Sequence, residues 1–222
     1  VHHALWHAML LEAASDGMVT VAPIMPPHWT EARFDNLRWA DGYIDIAYQR
    51  NGASITWRIE GLDPGERVTF APRFQIGAAI GSVTINSEKI EPNIVTTDGN
   101  PQLVMPMIGD SKPIEVRIEL DRFISPVPAL CKPEISKPSR GFRILDWYIG
   151  TDSMWIEIMG QSGVEYRIRI VDPLDRLDTG AHESSIEGEH KIVTFKLPAG
   201  PERYSKRTLR FTLHRKKESA DG

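Results

Sequence analysis

Two alternating runs separated by Asn51-Gly52 constrain this chain more than any other feature. In Tyr43–Gln49, Ile44, Ile46 and Tyr48 fall on one face while Asp45 and Gln49 fall on the other. Asn51-Gly52 is a strong signal for a two-residue hairpin turn, and Ser54–Ile59 then returns with Ile55, Trp57 and Ile59 alternating. A period of two lines side chains along one face of a strand, whereas a helix would scatter the same set around its circumference. The region is therefore expected to fold as antiparallel sheet with one face buried.

The same texture continues. Asp63-Pro64-Gly65 reads as a turn leading into Val68 and Phe70, Val83 and Ile85 mark a further strand, and Ile114, Val116, Ile118 and Leu120 form the cleanest alternation of the first half. Pro126, Pro128, Pro133 and Pro138 then crowd residues 124–139, which suits a semi-extended linker or an edge-hugging crossover better than a core element. From residue 140 a second β-rich segment follows. Met154–Met159, Tyr166–Ile170, Ile192–Leu197 and Thr208–Leu213 read as strands, with Leu209, Phe211 and Leu213 inward. The expected fold class is mainly β: two small antiparallel sandwiches, over residues 18–123 and 140–222, the second immunoglobulin-like.

The opening differs. Val1–Ala14 contains no Gly, Pro or Asn, and Leu5, Ala8 and Met9 share the i, i+3, i+4 spacing of one helical face. Ser15-Asp16-Gly17 supplies a stop, but no N-cap residue precedes the run. A helix over residues 1–17 with an end and no beginning is what a piece of a longer protein would show.

Composition excludes several function classes. A formal net charge of −4 gives no electrostatic reason to expect nucleic acid as a partner. The basic stretch Lys206, Arg207, Arg210, Arg215, Lys216 and Lys217 is explained by a solvated edge strand and tail. No apolar run approaches the ~20 residues of a helical membrane span, so no membrane partner is expected. The single cysteine, Cys131, excludes an intrachain disulfide and any multi-cysteine zinc site, and nothing near it in sequence would activate a thiolate. There is no G-x-S-x-G elbow and no glycine-rich phosphate loop.

One ordered stretch, Ala8 to Gly52, carries more information. It runs Met9-Leu10-Leu11, Asp16-Gly17, Val19–Val21, Pro23, Pro26-Pro27-His28-Trp29, Phe34-Asp35-Asn36-Leu37-Arg38 and Asp41-Gly42-Tyr43. This order resembles the exit from the (α/α)6 barrel of six-hairpin glycosidases, in particular the α-L-fucosidase and α-L-rhamnosidase-like families. Glu12-Ala13 stands where a Gln is usual there, and the His-rich start replaces a glycine-rich lead-in. The resemblance implies that residues 1–17 are the last helix of a catalytic barrel and that 18–123 are its exit segment and first sandwich. It also implies a non-catalytic C-terminal accessory portion of a glycoside hydrolase acting on α-linked sugars. In that clan the catalytic groups lie on barrel loops, upstream of Val1, so no catalytic acid or base is expected here. Trp29, Phe34 and Arg38 would then sit between barrel and sandwich, the aromatics burying area and Arg38 satisfying carbonyls or a carboxylate. The partner would be the upstream barrel of the same polypeptide, and a secreted or periplasmic parent would fit. The alternative is a stand-alone carbohydrate-binding or adhesion sandwich.

Carbohydrate binding would fall to Trp147, Tyr148 and Trp155, flat aromatic faces flanked by Asp146, although a sandwich core also uses a buried Trp routinely. His3 and His7 are four apart but lack the Glu after His3 and an assigned third ligand. Asp172, Asp175 and Asp178 do not follow the alternation of a calcium loop and read as a solvated turn. No metal and no cofactor are expected.

Overall fold

The computed structural model describes residues 11–13, 19–39, 42–97, 99–127 and 141–214. Among them there is no helix. The chain divides into two compact units, Val1–Arg122 and Phe123–Gly222.

The first unit contains β1 (Leu11–Ala13), β2 (Val19–Val21), β3 (Glu31–Trp39), β4 (Gly42–Asn51), β5 (Ser54–Glu60) and β6 (Arg67–Phe70). It continues with β7 (Ala79–Ile85), β8 (Glu88–Ile90), β9 (Ile94–Thr97), β10 (Asn100–Leu103), β11 (Met105–Ile108) and β12 (Ile114–Arg122). Six of these form one sheet in the order β3-β4-β5-β12-β7-β8, and four form a second in the order β1-β2-β6-β11. Ile44, Ile46 and Tyr48 from β4, Ile55, Trp57 and Ile59 from β5, and Ile114, Val116 and Ile118 from β12 are all buried. Their alternation along each strand places them in one layer. Trp57, only 2% exposed, is the largest side chain in that layer. Its ring lies 4.8 Å from Tyr48 on the adjacent strand and 5.8 Å, edge-on, from Phe70 of the other sheet, so it ties the two sheets together.

Two local features depart from the sequence reading. The hairpin loop is Gly52-Ala53, one residue later than Asn51-Gly52, because Asn51 and Ser54 pair as the last rung, and Gly52 takes the positive φ of 58°. The helix expected over residues 1–17 meets the described residues only at 11–13, and there it is wrong. Leu11–Ala13 is strand β1, paired antiparallel with β2 through Leu11–Val21, Glu12–Thr20 and Ala13–Val19. The unpaired backbone along that side of β2 offers three residues a ladder, and pairing overrides their helical preference. β2 in turn runs parallel to β6, the one parallel pairing among the described strands of an otherwise antiparallel fold.

The second unit contains β13 (Ser125–Val127), β14 (Arg143–Ile149), β15 (Ser153–Gln161), β16 (Glu165–Val171), β17 (Leu177–Asp178), β18 (Ser184–Glu187), β19 (His190–Lys196) and β20 (Tyr204–Leu213). They form two four-stranded sheets, β13-β16-β19-β18 and β14-β15-β20-β17. The start of the proline-rich segment is thus the edge strand β13 rather than free chain, an edge being where a proline can sit in a sheet. Met154, Ile156 and Ile158 of one sheet and Ile168, Ile170 and Val193 of the other are buried. Phe142, Tyr166 and Phe195 form a three-ring cluster with centroids 5.4–5.8 Å apart. The Tyr166 hydroxyl accepts a hydrogen bond from the Gln161 backbone N–H at 2.9 Å, joining β16 to β15 of the opposite sheet. Gly160 makes room for it, since a Cβ there would lie 3.0 Å from the Tyr166 ring and 2.9 Å from Leu197.

Trp57→Ala is expected to destabilise the first unit by about 3–5 kcal/mol, the range for removing a fully buried large aromatic. Thr56→Ala, on the opposite face of the same strand, should change stability by less than about 0.5 kcal/mol. Urea unfolding followed by far-UV circular dichroism checks both.

Candidate functional site

The segment joining β2 to β3 carries Pro23, Pro26, Pro27, His28 and Trp29 of the junction motif, and its placement follows from β4. The Arg50 N–H donates to the Thr30 carbonyl at 2.7 Å. The Arg50 side chain, 3% exposed, donates from Nε to the Trp29 carbonyl at 3.3 Å and from Nη1 to the Gly52 carbonyl at 2.9 Å. The Tyr48 hydroxyl makes a longer contact of 3.5 Å to the same Trp29 carbonyl. The Trp29 N–H donates to Pro26 at 3.0 Å, closing the Pro26-Pro27-His28-Trp29 turn. Buried backbone carbonyls require donors, and a guanidinium supplies several in a fixed fork.

So held, Trp29 faces the inner side of β3. A groove of about 590 Å³ runs along that strand, lined by His28, Trp29, Ala32, Phe34 and Leu37 among others. Trp29 and Phe34 are half-buried and Leu37 is buried. β3 is an edge strand, and alternation alone would send Leu37 outward. Asn36, with φ 56°, adds an extra residue between Phe34 and Leu37 and returns Leu37 to the inner face. The Asn36 N–H donates to Asp45 Oδ1 at 2.7 Å, which fixes the bulge.

Of the three residues expected at an interface, Trp29 and Phe34 therefore meet in one groove. Arg38 lies elsewhere: it is exposed, and its residue pairs with Tyr43 beyond the bulge. The arginine that satisfies carbonyls here is Arg50, which the alternation of β4 marks as inward-facing but which reading by residue type passed over.

The outward face of the same sheet is polar in a repeating way. Arg33–Asp35, Arg58–Glu60 and Arg117–Glu119 are i, i+2 pairs on β3, β5 and β12, at 2.6, 2.5 and 2.7 Å. The Arg33 guanidinium is held above its ordinary value, first by its hydrogen bond to Asp35 and then by that carboxylate's charge, with Asp45 and Glu60 adding. Such exposed pairs contribute little to stability, and they leave this face solvated.

In the second unit the predicted aromatics separate. Tyr148 and Trp155 are cross-strand partners on the outer face of β14 and β15, stacked at 6.2 Å with 25° between planes. Trp147 pairs with the fully buried Ile156 on the other face. The acidic turn is also resolved into parts. Asp172, 4% exposed, accepts backbone N–H bonds from Arg176 at 3.1 Å and Leu177 at 2.7 Å. Lys191 Nζ lies 3.4 Å from Asp172 Oδ2 and 2.8 Å from Asp175 Oδ1, and it also donates to the Leu177 carbonyl. An ammonium from β19 thus occupies the centre that a cation would need. Asp178 turns away, accepting from the Gly180 N–H at 2.8 Å and facing His214 at 3.6 Å. Among the described residues no group of three His, Cys, Asp or Glu is arranged to hold a metal. His3, His7 and Cys131 lie outside the described residues.

No family model matches this chain, and no curated protein matches it. Among solved structures, it is similar to the cycloalternan-forming enzyme from Listeria monocytogenes in complex with a pentasaccharide substrate, at 9% identity and a TM-score of 0.36. That alignment covers 89% of this chain and 20% of the enzyme. It is also similar to a β-L-arabinofuranosidase of glycoside hydrolase family 127 from Geobacillus stearothermophilus T6, at 13% identity and a TM-score of 0.35. Here 95% of this chain and 33% of the other are covered. The chain thus spans a third or less of either neighbour. Likeness at this distance assigns no function, and the functional reading rests on the residues themselves.

Three outcomes test the local geometry. Arg50→Met should destabilise by about 2–3 kcal/mol, because it strands carbonyls that a charged donor now satisfies. Lys191→Met should cost about 3 kcal/mol by leaving Asp172 buried without its cation. Thermal melts of the wild-type chain with about 1 mM calcium and with a chelator should coincide, since a bound ion would raise the midpoint.

Proposed function

We propose that this chain is a non-catalytic accessory portion of a glycoside hydrolase that acts on α-linked sugars. Its role is to brace a catalytic barrel of the same polypeptide through the Trp29–Phe34 groove. The observation that carries this reading is the coincidence of motif and geometry. The junction-like stretch Ala8–Gly52 contains Trp29 and Phe34, and those two rings line one groove along an edge strand. Half-buried aromatics at a sheet edge, held by a buried arginine and a backbone turn and flanked by Glu31, Arg33 and Asp35, form a surface of mixed character on which further burial of the rings would gain free energy.

The chemistry of the described residues supports an accessory role. Asp35, Glu60 and Glu119 on the outward face of the first unit are each paired with an arginine two residues away, and Asp172 is engaged with backbone N–H groups and Lys191. A glycosidase acid and base need a pair of carboxyls flanking a substrate cleft, with one of them pushed up in pKa.

The chain alone should release no aryl product from 4-nitrophenyl α-glycosides above the buffer rate, measured by absorbance over hours. Turnover that survives repurification would overturn the non-catalytic reading. Reading the coding DNA upstream of Val1 tests the partner: several hundred codons of paired helices are expected. A start codon immediately before Val1 would replace this reading with a stand-alone sandwich protein.

A further inference from the structure

The outward faces of the two large sheets differ in kind. On β3, β5 and β12, Arg33, Arg58 and Arg117 are each paired with an acid on the same strand. On β14, β15 and β20 the centre of the face is aromatic instead. Tyr148 and Trp155 stand directly opposite each other, and Arg210 continues the same row on β20. The rings are stacked at 6.2 Å with 25° between their planes, so they form one aromatic platform. Tyr148 is 52% exposed although its partner is a tryptophan, an arrangement the core does not require. The core contacts of these strands are made by Met154, Ile156 and Ile158, on the other face.

The rim around the platform is polar and balanced in charge. Arg143, Lys206 and Arg210 face Asp146, Glu157 and Asp178 across the neighbouring rows of the sheet. Glu157 lies 3.6 Å from Lys206 Nζ, and Asp146 Oδ1 accepts from the Trp147 N–H at 2.8 Å, so these groups are held rather than splayed. A nucleic acid or a strongly charged peptide would gain nothing from a rim of zero net charge. A sugar hydroxyl both donates and accepts, so it can use the acidic and the basic groups alike. The polarised C–H face of a pyranose ring meets the electron-rich face of the aromatic rings.

We propose that this face of the second unit binds a neutral glycan chain, with the Tyr148–Trp155 pair packing against its sugar rings, Arg210 next in the same row and Asp146 in the adjoining row. Trp147, on the opposite face of β14, takes no part. The site goes beyond the bracing role and does not depend on it. A chain with no barrel would keep this site, and a chain without this site could still brace a barrel.

The test is isothermal titration of the 222-residue chain with maltohexaose, cellohexaose and xylohexaose, with polygalacturonate and heparin as charged probes. Saturable binding of at least one neutral hexasaccharide is expected. Trp155→Ala and Tyr148→Ala should each weaken it by about tenfold or more. Trp147→Phe should leave it unchanged. If Trp155→Ala lowers the melting temperature, Tyr148→Ala on the edge strand carries the comparison. The proposal fails if no neutral probe binds at about 10 mM, weaker than any useful affinity. It also fails if only the charged probes bind, or if affinity is indifferent to both aromatic substitutions.

Discussion

Trp57 packs on Tyr48 within its own sheet and on Phe70 of the facing sheet, and much else in the first unit depends on that contact. Burying a large ring at this point fixes the separation of the two sheets and the register of β4 against β5. Register then decides where Tyr48 and Arg50 fall. Because both are inward residues of β4, their hydroxyl and guanidinium reach the Trp29 carbonyl and pin the segment that leads into β3. The groove with Trp29 and Phe34 is thus an extension of the core, built on the same alternation, and its rigidity is inherited from Trp57.

The alternating runs were legible because their period is uninterrupted. Ile44-Ile46-Tyr48, Ile55-Trp57-Ile59 and Leu209-Phe211-Leu213 are all inward in the structure, as read. β3 was not legible as a strand, since Asn36 breaks its period and its outward positions are charged. β14 carries a similar irregularity between Ile144 and Asp146. β18 is exposed along its whole length and leaves no apolar pattern to find. At Leu11–Ala13 the helical pattern was real, but a three-residue ladder along β2 prevailed there. Composition also could not say which arginine enters the core or that Lys191 fills the centre of the acidic turn. Both depend on partners far away in sequence, as in the contact between Lys191 and Asp172.

The two outward sheet faces show how one architecture can serve two purposes. Intrastrand Arg–acid pairs leave the first face charged and solvated. The second face carries the Tyr148–Trp155 pair with charged groups around it, which limits the apolar area exposed there. The two proposals thus rest on different surfaces, the bracing role on the groove at β3 of the first unit and glycan binding on the aromatic face of the second.

The central claim is that the Trp29–Phe34 groove is covered by another part of a larger enzyme. Hydroxyl-radical footprinting read by mass spectrometry tests it most directly, comparing the 222-residue chain with the full polypeptide encoded around it. The account predicts that Trp29 and Phe34 are labelled in the isolated chain and strongly protected in the full polypeptide, while Tyr148 is labelled equally in both. Equal labelling of Trp29 and Phe34 in the two samples would contradict it.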